Sequence, residues 1–406
     1  MKILQIMAAA LLLCFLTGAV KAQNDKSTDD RIGANASQQS QSGTHGNDDD
    51  TLIYNQGVDA YNAKHYAEAA DDLTKYLKNN RKNAQAHKLL ASIYFQQNKA
   101  ELAVPELETA LQLSPGDTEA RDNLGAAYLQ IGSFDKAAAL YKSAREQSPK
   151  DPQLALFEGL ALTQAGKTDE AVAALQDAVK LDPKNGSAYL QLGVALEGGG
   201  KHADAAAAFQ SAADLDPKDA RAALYAGVLN HQIGHDTIAI PYLKRALALG
   251  TDNPFAAHMA LGEAYHSAGN AVDAIAEYKM ASQIKPDDFG AAANVGILSQ
   301  TAGKSAEAEA AYRMALAGKA LDAYTAAPVQ SNLALLLMAD GKLDEATSLL
   351  IQAAQGDAKN AHYQENLGLV YEKQGKDDLA LAAFQKALEI DPTFVDAQQS
   401  VARLKK

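Results

Sequence analysis

At 406 residues the chain is longer than one compact core usually organises, so several domains or a repeat array are expected. Alanine and leucine dominate, aromatics make up 6% and tryptophan is absent, a balance that suits many short helices better than strands. With 37 basic against 50 acidic residues the formal charge is −13, and no basic stripe offsets it locally, which argues against nucleic acid as a partner.

Residues 1–22 combine an early cation, Lys2, an apolar run from Ile3 to Leu16, and small residues ending in Val20 and Ala22, the pattern of a secretory signal peptide. Lys21 inside the cleavage motif makes Ala19 a second point of cleavage. Retention as an anchor is a third outcome, although the run is short for a span of about 20 residues. Cys14 is the one cysteine, and the bulky Leu13 before it does not suit lipid attachment. The mature chain then has neither cysteine nor disulfide, which a large exported helical array tolerates. Residues 23–49 hold almost nothing that could build a core and read as a disordered polar linker. Asn35-Ala36-Ser37 is a glycosylation sequon only in a host that glycosylates exported chains. Asp48, Asp49 and Asp50 lack the spacing of a calcium loop and suit the positive end of a following helix.

From residue 50 the chain aligns to itself with a period of 34: 50–83, 84–117, 118–151, 152–185, 186–219, 220–254, 255–288, 289–326, 327–360 and 361–394. One extra residue precedes Phe255 and four precede Ala327. Position 20 is alanine in every unit, from Ala69 to Ala380, and position 8 is glycine in all but two, which have Ala91 and Ala334. The period predicts two antiparallel helices per unit, A over positions 2–14 and B over 18–30. Small residues at 8, 20 and 27 allow close approach, and large ones at 7, 11 and 24, such as Leu124, Tyr128 and Tyr141, fill the remaining volume. Glycine at position 15, as in Gly132, suits the left-handed residue that ends helix A, with Lys64 and Asn98 in its place in the first two units. Pro115, Pro149, Pro183, Pro217, Pro286 and Pro392 at position 32 stop helix B. Asp117, Asp151, Asn185, Asp219 and Asp288 then stand where the next helix A needs an N-cap.

The residues at 7, 8, 11, 20, 24, 27 and 32, as in Leu124, Gly125, Tyr128, Ala137, Tyr141, Ala144 and Pro149, resemble the tetratricopeptide repeat over residues 50–394. The chain departs at position 4, where the family favours tryptophan and Tyr189, Ala155 and Arg121 stand here, and at Arg81, Thr251, Ala320 and Ala358 in place of the proline. The resemblance implies an all-α fold, an α-solenoid in which stacked helix pairs wind a right-handed superhelix with helix A lining the concave face. Residues 395–406 then form a C-terminal capping helix.

The sequence offers no catalytic constellation and implies no enzyme and no cofactor. There is no nucleophilic cysteine in the mature chain, no phosphate-binding loop and no zinc signature. Gly198-Gly199-Gly200 falls at the A–B turn of the fifth unit and reads as a turn. His231 and His266 share position 12 of adjacent units, but further metal ligands are not apparent. The carboxylates of Asp135, Asp169, Glu170, Asp344 and Glu345 recur at helix B starts, where the macrodipole accounts for them.

These readings point to an exported scaffold, periplasmic or secreted in a bacterium, that binds a protein or peptide in its groove and serves a cell-envelope or secretion complex. The alternative is a non-catalytic subunit of, or a groove-based activity in, a hydrolase or transferase. A fused catalytic domain has no room before Lys406, and glycan binding is disfavoured by the lack of tryptophan. By resemblance, helix A positions 2, 5, 6, 9 and 12 face the groove. A carboxylate clamp would use Lys88 and Asn123, but Ser92 and Asp122 break its basic set. The apolar run Leu156, Phe157, Leu160, Leu190, Val194, Leu224, Tyr225, Val228 and Met259 is the predicted protein-binding set, with Phe157 and Tyr225 as anchors. The competing reading is that these side chains are buried between neighbouring helices.

Overall fold

The computed structural model describes residues 48–318 and 321–405. The predicted signal sequence, Cys14, the Asn35 triplet and most of the predicted linker lie outside the described residues. Among those described are twenty-one α-helices and no strand. They fall into two compact units, one ending at Leu215 and one beginning at Asp216.

The first unit holds five helix pairs: α1 Asp48–Asn62 with α2 Tyr66–Asn79, α3 Ala84–Gln96 with α4 Ala100–Leu113, α5 Thr118–Gln130 with α6 Phe134–Gln147, α7 Pro152–Gln164 with α8 Thr168–Leu181, and α9 Gly186–Gly198 with α10 His202–Leu215. The second holds five more and a last helix. These are α11 Ala220–Gln232 with α12 Asp236–Ala248, α13 Pro254–Ser267 with α14 Ala271–Ile284, α15 Phe289–Thr301 with α16 Ser305–Leu316, α17 Ala323–Ala339 with α18 Leu343–Gly356, α19 Ala361–Lys373 with α20 Asp377–Ile390, and α21 Val395–Leu404. Within each unit every helix packs on its pair mate and on the helix that follows. This is the stacking of an α-solenoid.

The turn code works as the spacing predicts. The eight position-15 glycines, Gly132 to Gly375, have φ between 71° and 80°, and Lys64 and Asn98 adopt the same left-handed conformation at 62° and 56°. Asp117, Asn185 and Asp288 accept hydrogen bonds from the N–H groups of Ala120, Ala188 and Ala291 at 3.0, 3.1 and 3.0 Å. Asn83, Asn253, Asp322 and Asn360 cap their helices in the same way, including those that no proline precedes.

All ten position-20 alanines are 0% exposed, so no larger side chain fits there without displacement. At position 8 the reason for glycine is more specific than close approach of two backbones. A Cβ added to Gly193 would lie 2.6 Å from Phe209 Cε1, one on Gly296 2.4 Å from Tyr312 Cδ1, and one on Gly368 2.5 Å from Phe384 Cε1. The position-24 side chain of the same unit lies over the glycine and takes the space a side chain would need.

The four extra residues before Ala327 lengthen helix A of the ninth repeat by one turn, so that α17 starts at Ala323. Asp322 caps this turn through Thr325 N–H at 2.9 Å and the Thr325 hydroxyl at 2.7 Å. A Cβ on Gly356 would sit 2.2 Å from the Ala323 carbonyl, so glycine at the end of α18 makes room for the added turn.

Candidate functional site

In the first unit the predicted binding residues lie on α7 and α9. Leu156, Leu160 and Leu190 are 2%, 4% and 2% exposed, whereas Phe157 and Val194 are half-buried. The Phe157 ring sits 5.1 Å from that of Tyr141 with the planes tilted by 34°, so its inner face packs on α6. Tyr141 itself is buried over Gly125, and the loss of water pushes its phenol pKa up.

In the second unit the set lies on α11 and α13. Leu224 and Tyr225 are 1% and 4% exposed, and Val228 and Met259 are half-buried. Burial first, and then the charge of Asp252, pushes the Tyr225 phenol up to about 12. Such depth makes Tyr225 a packing residue of its helix pair. The nine residues therefore divide into five interior ones and four with surface left for a partner: Phe157, Val194, Val228 and Met259.

Polar residues near these faces are tied into the fold. Lys88, the cation a carboxylate clamp would use, donates to Glu119 at 2.6 Å and pairs with Asp117 at 3.0 Å. Those partners raise its pKa against the opposing effect of desolvation, the largest single influence. Its charge is thus taken up at the junction of its own repeat, through Asp117, and the next, through Glu119. Asn123 is 5% exposed, and Asp122 pairs with Arg121 at 2.8 Å while burial, the leading influence, raises its pKa. In the second unit, Asn366 donates to the Ser331 hydroxyl at 3.1 Å across the last two helix A segments.

His231 lies near the end of α11 with Nδ1 2.6 Å from Asp236 and Nε2 3.2 Å from Glu263. The hydrogen bond to Glu263 leads in raising its pKa above the ordinary 6.5, with Asp236 adding and desolvation opposing. Its position-12 counterpart His266 is exposed. Among the described residues no group of three or more histidine, cysteine or acidic side chains is placed to hold a metal ion. Gly198 ends α9 and Gly200 takes φ 71°, so the triple glycine forms the A–B turn. No described helix is long and apolar enough to cross a membrane.

Two features were not drawn from the sequence. Ion pairs link successive repeats, as in the exposed Lys167–Asp135 and Arg313–Glu345 pairs at 2.7 Å and the Arg145–Asp177 pair, and Arg145 also holds the buried Glu158 at 2.8 Å. The helix-start carboxylates owe part of their recurrence to these pairs. A local basic cluster, Lys78, Arg81 and Lys82, runs through the turn between α2 and α3 against the general acidity of the chain.

Tetratricopeptide repeat family models match residues 54–118, 156–220, 190–254 and 232–289, a second model 94–159, and a third 364–394. Curated protein sequences gave no significant match. Similar solved structures include the APC/C hetero-tetramer Cut9–Hcn1, at 15% identity over 88% of this chain and 96% of that one, with a TM-score of 0.39. Pseudomonas aeruginosa PilF is similar at 21% identity over 54% and 97%, with a TM-score of 0.42. Yeast Tom70 is similar at 16% identity over 98% and 95%, with a TM-score of 0.36. The family matches run unbroken from residue 54 to 289 and resume at 364, and the intervening stretch carries helix pairs of the same design. The chain belongs to the tetratricopeptide repeat family.

Proposed function

We propose that the protein is a non-catalytic scaffold that binds a protein or peptide through the helix A faces of its repeats. The observation that carries this reading is the apolar surface left on helix A by Phe157 and Val194 on α7 and α9 of the first unit and by Val228 and Met259 on α11 and α13 of the second. Apolar side chains on an otherwise wet helix face suit a hydrophobic or amphipathic segment of a partner. Leu156, Leu160 and Leu190 are buried within the first unit, and Leu224 and Tyr225 within the second. The signal-type sequence of residues 1–22 supports an exported location, periplasmic or secreted in a bacterial host. Assembly of an envelope or secretion complex is the matching task.

Affinity capture from an envelope fraction with the mature protein as bait tests the reading. One stoichiometric protein partner is expected, with binding of the folded protein weakened tenfold or more by Phe157→Ala or Met259→Ala, and with some loss of stability for Phe157→Ala because its ring packs on Tyr141. Full affinity of both variants would remove the proposed face, and turnover of a substrate by the purified protein would replace the scaffold with an enzyme.

A further inference from the structure

The end of α2 and the turn that leads to α3, residues 78–83, read Lys-Asn-Asn-Arg-Lys-Asn, with Arg81 where six other repeats carry a proline. It lines an open pocket of about 690 Å³ together with Tyr76 and Ala84. Lys78, Arg81 and Lys82 are exposed. The Arg81 Nε donates to the Lys78 carbonyl at 3.3 Å, which holds the guanidinium at the rim. No ion pair is made by any of the three among the described residues, whereas Lys75 and Lys88 nearby are paired.

The same turn already binds a carboxylate. Asn79 and Asn80 donate their side-chain amides to the two oxygens of Asp50 at 3.1 and 3.0 Å. Asp50 comes from α1, about thirty residues earlier, so its capture is a tertiary contact. The turn therefore presents amide donors that bind one carboxylate and three cations that bind none.

We propose that this turn is a second interaction site, separate from the helix A faces, which receives a carboxylate-rich segment of a protein partner. Acidic side chains entering the pocket meet Lys78, Arg81 and Lys82, while Asp50 occupies the amide end and limits affinity by its own charge. Association is dominated by exposed charges and weakens steeply with salt.

A labelled hexaglutamate peptide, titrated into the mature protein by fluorescence anisotropy at low and physiological ionic strength, tests this. Binding at low salt that fades as salt rises is expected. Lys78→Ala, Arg81→Ala and Lys82→Ala combined should weaken it about tenfold, three exposed pairs each being worth a small factor. Because the three side chains are exposed, the variant should melt as the parent does. Asp50→Asn should tighten binding severalfold by removing the competing charge, an effect a purely structural role for Asp50 does not produce. Undiminished binding by the triple variant, or no gain with Asp50→Asn, overturns the proposal. So does binding that depends on the three cations only for vesicles of anionic lipid and not for the peptide, which would assign the turn to a membrane surface.

Discussion

Gly193 shows how a single atom sets a repeat. Alanine there would gain up to about 1 kcal/mol of helix propensity, but its Cβ would meet the Phe209 ring at 2.6 Å. Overpacking of this kind costs about 1–3 kcal/mol, so steric conflict wins. Gly193→Ala is expected to lower the melting temperature. Gly198→Ala, in the same helix but with nothing within 4 Å, is expected to raise it slightly, by a few tenths of a kcal/mol at the helix end. If both variants melt higher than the parent, the account of position 8 is wrong. The glycine was legible in the sequence, and so was the aromatic sixteen residues on. That the second seats on the first was not, because two small-or-large rows at a fixed period do not say which pair touches. The depth of Tyr225 was hidden for a related reason: helix A position 6 is half-buried as Phe157 in one repeat and interior in another, depending on its neighbours.

At the scale of helices, His231 joins three segments. It extends from α11 to Asp236 at the start of α12 and to Glu263 on α13. A neutral imidazole carries one N–H and cannot donate to both carboxylates, whereas the imidazolium can. Because the folded pKa is raised above 6.5, the stabilisation is fully present below that value and is lost as the pH rises through the folded pKa. Thermal melts from pH 6 upward should lose stability over that window, and His231→Gln should flatten the loss. A parent and variant with parallel profiles would show that the contact carries no proton linkage. Helix interfaces should be equally intolerant of size at position 20. Ala205, at 0% exposed, should destabilise by about 1–3 kcal/mol or more as Ala205→Phe, measured by circular dichroism melts. Helix order, turns and caps were legible here because each rests on local chemistry repeated many times. The start of α17 was not: the four-residue excess before Ala327 could be read as loop, and only Asp322 and Gly356 make it a helical turn.

Across the whole molecule, stability is the sum of repeats and of their neighbour contacts. The 34-residue period could therefore be read from sequence well beyond the level of residue identity, including across residues 290–363, between the spans matched by the family models. The binding surface is harder to read for the opposite reason. Positions that face a partner are free of the packing constraints that repeat, so they drift, and apolar residues among them can be surface or interior. The basic turn at 78–83 escaped a reading based on net charge, since three cations in one loop barely alter a balance of −13. The central claim is that the helix A faces of the repeats bind a protein partner. Hydrogen–deuterium exchange of the mature protein with and without the partner captured from the envelope fraction tests it most directly. The account predicts slowed exchange on partner binding in Pro152–Gln164, Gly186–Gly198, Ala220–Gln232 and Pro254–Ser267, with their helix B mates little changed. Protection confined to helix B segments would contradict it.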